Sequence, residues 1–217
     1  MNTPPRPLLP RLRPLAVAVS LALAAAGTAR AGGPEAADPH AAHRAMMQQQ
    51  NSQVRRSEVG YALPDVKLVR QDGKTVSLKD ALDDDHPVLV NFIYTTCTTI
   101  CPLSSQVFAQ FQSKLGADKA NVRLVSFSID PEEDTPARLV AYAGKFHAGP
   151  NWDHYTGTLA ASVAVQRAFD AYRGDKMNHS PLTLLRAAHS KKWVRLDGFA
   201  SAEDLMMEYR GLLGHQH

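Results

Sequence analysis

Val88-Leu-Val-Asn-Phe-Ile-Tyr-Thr-Thr-Cys97-Thr-Thr-Ile-Cys101-Pro102 begins as a strand and ends as a reactive loop. Its first six residues are a near-continuous apolar run of β-formers, the pattern of a strand covered on both faces. Leu103–Leu115 follows with apolar residues at 103, 107, 108, 111 and 115, a helical spacing that stops at Gly116. Both cysteines of the chain fall at this strand-to-helix junction, with three residues between them. Such a pair can close a disulfide, hold a soft metal ion, or do both in turn.

The flanking sequence completes an α/β pattern. On the N-terminal side, Val66-Lys-Leu-Val69 and Thr75-Val-Ser-Leu78 enclose Gln71-Asp-Gly-Lys74, a β-hairpin signal with Asp-Gly at the turn. On the C-terminal side, Val122–Ile129 reads as a second buried strand, and Thr135–Phe146 as a helix with Pro136 in its first turn. Leu159–Phe169 is a further predicted helix, Thr183–Leu185 and Trp193–Arg195 a closing hairpin, and Ala202–Leu213 a terminal helix. There is no internal repeat. Open α/β sheets place their sites at the carboxyl ends of strands. The element order therefore predicts a thioredoxin-like fold with an added N-terminal β-hairpin, and Tyr94–Pro102 as its active loop.

The N-terminus predicts export. Arg6, Arg11 and Arg13 precede Leu15–Ala26, which is apolar apart from Ser20, and Ala29-Arg-Ala31 supplies small residues at the positions a signal peptidase reads. That apolar run is shorter than the roughly 20 residues a spanning helix needs. A signal peptide over residues 1–31 and a periplasmic location are expected, with an uncleaved inner-membrane anchor as the alternative. No cysteine follows the run, so a lipid-modified N-terminus is not expected. Residues 1–31 carry four arginines and no acidic residue, so their removal takes the formal charge from +3 to −1. The remaining chain has no basic footprint for nucleic acid. Residues 32–57 read as a flexible arm containing His40, His43, Met46 and Met47. Residues 58–213 read as the single domain, and 214–217 as a tail with His215 and His217. The arm and tail histidines and methionines suit a loose capture site for a soft metal ion, but the favoured reading is a flexible terminus without a role.

An exported dithiol meets an oxidising compartment. A disulfide across so short a gap removes little chain entropy, which argues against a purely structural staple. Cys101, directly before Pro102, is expected near the helix N-cap, where backbone N–H groups and the helix dipole favour a thiolate. Two thiolates form a soft donor set that suits Cu(I), with Zn(II) the main competitor.

Three segments carry a family resemblance. Asn91-Phe-Ile-Tyr-Thr-Thr-Cys-Thr-Thr-Ile-Cys-Pro102, Ser126-Phe-Ser-Ile-Asp-Pro-Glu-Glu-Asp-Thr-Pro136 and Asn178-His-Ser180 resemble the signature segments of the SCO/SenC family, in the same order and spacing. Trp152 and Tyr155-Thr-Gly157 fit between them, and the resemblance covers about residues 58–213. It implies a thioredoxin-like copper metallochaperone and thiol-disulfide reductase that assembles the CuA centre of cytochrome c oxidase. By position it implies Cys97, Cys101 and His179 as copper ligands, with Cys97 and Cys101 also the redox-active pair. The implied cargo is copper, as Cu(I) or Cu(II). The implied partners are cytochrome c oxidase subunit II or another periplasmic copper protein, together with a thiol reductant or copper donor protein.

Imidazole adds a third donor to the dithiolate and also serves Cu(II). Asp130, ending the second buried strand, is either a group that orients His179 or a turn residue before Pro131. Asp134-Thr-Pro136 reads as a plain helix start. Thr98-Thr99-Ile100 departs from the family's more usual Pro and acidic residue between the cysteines. The alternative function is a thiol-disulfide oxidoreductase that keeps a copper-accepting partner reduced. A peroxiredoxin-type peroxidase is not expected, because Val90 and Tyr94 stand where those enzymes place an activating Pro and Thr.

Overall fold

The structure, a computed structural model, describes residues 54–82 and 85–214. The expected signal peptide, nearly all of the expected arm and the histidines of the tail lie outside them. β1 is Arg55–Gly60, β2 Lys67–Arg70, β3 Thr75–Ser77 and β4 Val88–Ile93; β5 is Arg123–Ser128, β6 Trp152–Thr156, β7 Leu182–Arg186 and β8 Lys192–Asp197. The helices are α1 Leu78–Leu82, α2 Ile100–Lys114, α3 Pro136–Lys145, α4 Leu159–Ala168 and α5 Ala202–Gly214. The strands form an eight-stranded sheet in the order β1-β8-β7-β4-β5-β6-β2-β3.

β4 is central and buried at all six positions, as its apolar run predicts. It pairs in parallel with β5, and β5 with β6, through crossovers that contain α2 and α3. On one face, Phe108, Phe111 and Leu115 pack with Leu89, Leu124, Trp152 and the α5 residues Leu205 and Tyr209. On the other, Leu78, Ala81 and Leu82 of α1 and Val165 of α4 pack with Val90, Phe92, Val125 and Phe127. Burying a side chain of this size stabilises the fold by about 1.5–3 kcal/mol. The expected hairpin is present as β2 and β3, with Gly73 at φ 83° in its turn. It extends the sheet beyond β6.

Three elements were not expected. β1 starts at Arg55, ahead of the expected domain start, and runs antiparallel to β8 as an edge strand. Its sequence, Arg-Arg-Ser-Glu-Val-Gly, has no apolar period, because much of an edge strand remains exposed. β6 is buried along its whole length although it reads Trp-Asp-His-Tyr-Thr. Leu78, expected at the end of a strand, instead starts the five-residue α1.

His154 on β6 illustrates the cost of that polar burial. It has no exposed surface, stacks on Trp152 at 5.2 Å between ring centroids, and neither ring nitrogen finds a protein partner. Burial lowers its pKa from 6.5 to about 4. Between those values the unfolded chain binds the proton and the folded chain does not, so stability rises with pH across that window. The contribution is fully present above about pH 6.5 and is lost as pH falls towards 4, by about 3 kcal/mol. Urea denaturation across this range should show the loss in the wild type, and a smaller loss in His154→Phe. Equal slopes in the two proteins would refute the assignment.

Candidate metal and thiol site

Sheet topology brings three loops to one edge. Ile93 and Ser128 are register partners at the carboxyl ends of parallel β4 and β5, so the 94–99 and 129–135 loops are neighbours. β7 runs antiparallel to β4, with Thr183 opposite Asn91, so the chain entering β7 meets β4 at the same edge. That chain carries His179.

The dithiol loop is a turn closed by the Cys97 N–H donating to the Tyr94 carbonyl at 3.2 Å. Helix α2 then starts at Ile100, three residues earlier than expected. Pro102 is its third residue, where the missing N–H removes no intrahelical bond. The N-cap residue Thr99 makes no side-chain cap. Instead, the Cys97 Sγ accepts the backbone N–H of Cys101 at 3.3 Å, and the Cys101 Sγ accepts that of Tyr94 at 3.4 Å.

This geometry reverses the expectation for the two thiols. Burial alone would raise the Cys97 pKa, but the N–H groups of Cys101 and Thr99, the Cys101 thiol and the Tyr94 hydroxyl more than offset it, so its pKa is lowered. Cys101 is completely buried among Ile93, Tyr94, Leu139 and Tyr142. Burial pushes its thiol well above the ordinary range, and Cys97 beside it adds to the shift. Of the two, the half-buried Cys97 is therefore the thiol whose surroundings favour the anion, and Cys101 the one held protonated. Both are free thiols in the structure.

Asp134, expected to be a plain helix start, anchors this loop. It is fully buried and accepts hydrogen bonds from the Thr95 N–H at 3.0 Å, the Thr95 Oγ1 at 2.6 Å and the Ser128 Oγ at 2.6 Å. Thr135, the next residue, is the N-cap of α3 and accepts from the Arg138 N–H at 3.3 Å. Nothing in the local sequence distinguishes Asp134 from the acidic residues around it. Its donors Thr95 and Ser128 reach it only through the β4–β5 register.

Asp130 acts on the His179 loop without touching His179. Its carboxylate accepts the Lys176 ammonium, and its backbone carbonyl accepts the N–H groups of Glu133 and Asp134. The Lys176 Nζ also lies 5.8 Å from the Tyr94 ring centroid. Lys176–Asn178 is a single 3₁₀ turn capped by Asp175, which accepts the Met177 N–H at 2.8 Å. The Tyr94 hydroxyl donates to the Met177 Sδ at 3.8 Å. Tyr94 and Asp130 together thus hold the turn that delivers His179 beside the dithiol loop.

His179 itself is buried and lines a small cleft with Ile129, Leu159 and Gln166. Burial lowers its pKa, against a hydrogen bond to the Phe92 backbone that raises it, and Arg173 lowers it further. The imidazole is neutral at pH 7, the form that ligates metals. Cys97 and Cys101 come together in the structure, whereas His179 does not join them. Among the described residues, no three His, Cys, Asp or Glu side chains are grouped closely enough to hold one ion. Larger clefts lined by His189, Ser190 and Trp193 lie at the opposite end of the β7–β8 hairpin, away from the thiols.

Comparisons with known proteins give the family and the fold. The SCO1/SenC family model matches residues 56–213. The SCO1 protein homolog of Bacillus subtilis is 37% identical over 106 residues, covering 48% of this chain. The match spans about half, 54%, of that relative's own length. Among solved structures, BsSco belongs to the Sco family of cytochrome c oxidase assembly proteins and has an identified disulfide switch. It is 28% identical with a TM-score of 0.60, covering 72% of this chain and 95% of its own. Bradyrhizobium japonicum ScoI, solved with copper bound, is 25% identical with a TM-score of 0.56, covering 70% and 99%. The thioredoxin-like architecture is shared, and the family match runs from β1 into the last turn of α5. The chain belongs to the SCO1/SenC family.

Proposed function

We propose that this protein is a periplasmic copper metallochaperone that binds copper as cargo through Cys97, Cys101 and His179, and delivers it to the CuA centre of cytochrome c oxidase subunit II. The observation that carries this reading is the dithiol at the β4–α2 junction, with a stabilised thiolate at Cys97 and a neutral imidazole on the neighbouring loop. The donor set is soft, which suits Cu(I), and the imidazole extends it to Cu(II). Copper bound to the relative from Bradyrhizobium japonicum supports the same cargo here. Export by a cleaved signal peptide is part of the proposal.

The unequal thiols set an order of events. Of the two thiols, Cys97 engages copper first, because its surroundings favour the thiolate. Cys101 follows and loses its proton to solvent, so loading releases protons. His179 completes the set by giving up its hydrogen bond to the Phe92 backbone.

A second reading rests on the same asymmetry. The Cys97 thiolate attacks a partner disulfide and forms a mixed disulfide. Cys101 then displaces the partner thiol, leaving a Cys97–Cys101 disulfide and a partner reduced by two electrons. An upstream dithiol must then re-reduce the pair. The two activities are compatible as consecutive steps on one target.

Titration of the wild type with Cu(I) and Cu(II) beside His179→Ala tests both readings. The wild type should take one copper per chain, and His179→Ala should lose about 10–100-fold in Cu(II) affinity with a smaller loss for Cu(I). Full reductase turnover in a His179→Ala protein, with no copper affinity in either form, would decide for the reductase alone.

A further inference from the structure

We propose that Met177 is an additional copper(I) donor at the mouth of the site, a thioether that receives the ion and passes it to Cys97. This rests on the copper reading above and adds a residue that the Cys97, Cys101 and His179 ligand set does not contain.

Three observations carry it. Met177 is 73% exposed, the most exposed large apolar side chain among the described residues. An isolated exposed methionine would mean nothing. This one is held in place by contacts on both sides. Its backbone N–H is fixed by the Asp175 cap, and its sulfur accepts the Tyr94 hydroxyl at 3.8 Å. The same hydroxyl also interacts with the Cys97 sulfur. Tyr94 thus stands between two sulfurs, hydrogen-bonded to the one at the solvent boundary and acting electrostatically on the one inside the loop. The short turn that carries Met177 is anchored to the dithiol side by Lys176, through Asp130 and the Tyr94 ring.

The chemistry follows from softness. A thioether is neutral, binds Cu(I) in preference to harder ions, and needs no deprotonation, so it can bind before any thiol does. An ion on Met177 carries a positive charge that draws the Cys97 thiolate towards it. The Cu–S bond to Cys97 forms, the bond to Met177 breaks, and the Tyr94 hydroxyl returns to the Met177 sulfur. Copper remains Cu(I) throughout and no electron moves. Any Cys97 still protonated gives its proton to solvent. The reverse sequence hands the ion to an acceptor.

The role is kinetic, so its test separates rate from equilibrium. Reduced full-length protein is mixed anaerobically with the Cu(I) complex of bathocuproine disulfonate, and loss of the chelator's colour is followed by stopped flow. Met177→Leu should reach the same copper per chain as wild type, with affinity changed by less than about threefold, but load about tenfold more slowly. Met207→Leu removes a comparably exposed thioether from α5 and should load at the wild-type rate. Wild-type loading kinetics in Met177→Leu would overturn the role of Met177 alone. Equal slowing in Met207→Leu would also overturn it, because the effect would then belong to surface thioethers in general. A wild-type protein that takes no copper would overturn the copper reading, and this inference with it.

Discussion

Cys97→Ser is expected to lower Cu(I) affinity by about a thousandfold or more, equivalent to about 4 kcal/mol. Serine keeps the size of the side chain and its hydrogen-bonding capacity but replaces a soft donor with a hard, protonated one. The substitution also removes the only thiol of the pair whose environment favours the anion. Because Cys97 is only half-buried, the protein should remain folded with nearly wild-type stability. Cys101→Ser should lose copper similarly but should also lose stability, since its hydroxyl would sit in the apolar cluster of Ile93, Leu139 and Tyr142. Anaerobic competition with a colorimetric Cu(I) chelator, beside thermal melts of each reduced variant, checks both statements. Wild-type Cu(I) affinity in folded Cys97→Ser would remove the dithiol from the binding site.

Asp134→Ala is expected to destabilise the protein by about 3–5 kcal/mol. The carboxylate is fully buried and takes donors from Thr95 and Ser128. Without it, two hydroxyls and one backbone N–H lose their acceptor in a place water does not readily reach, and each such group costs about 1–3 kcal/mol. Asp134→Asn keeps one acceptor oxygen and should lose roughly half as much. The functional consequence is separate from the stability loss. Thr95 is two residues from Cys97, so freeing it loosens the turn that aims the Cys97 sulfur at the Cys101 N–H. Copper affinity in Asp134→Asn, measured well below its melting temperature, should therefore fall although no ligand has changed. Urea denaturation gives the first quantity and chelator competition the second. A stability change below about 0.5 kcal/mol in Asp134→Ala would show that the hydrogen bonds are not what holds the loop.

The legibility of the fold followed the local pattern. β4 and β5 carry long apolar runs and are buried in the structure nearly as read. The Asp-Gly turn marks the β2–β3 hairpin, and Pro136 sits in the first turn of α3 beside a threonine N-cap. β1 and β6 were not legible for opposite reasons. β1 is an edge strand whose charged side chains stay in water, and β6 buries Asp153 against Gln71 and Arg123 from distant segments and His154 against the Trp152 ring. The start of α2 was misplaced because a proline can stand anywhere in a helix's first turn, not only at its first residue.

The site divides along the same line. The family resemblance alone implied His179 as a third ligand. Residue identity and spacing determined that a dithiol stands at the end of a central strand and that its chemistry is soft-metal or redox. These follow from covalent order and from periodicity, which any reader of the chain can count. Only the tertiary structure decided which sulfur is favoured as the thiolate. That depends on burying Cys101 under α3 while the Cys97 sulfur takes over the cap of α2, and burial depends on neighbours dozens of residues away. Only the tertiary structure, too, gave Asp134, Lys176 and Met177 their places, because their partners meet through sheet register and not through sequence proximity.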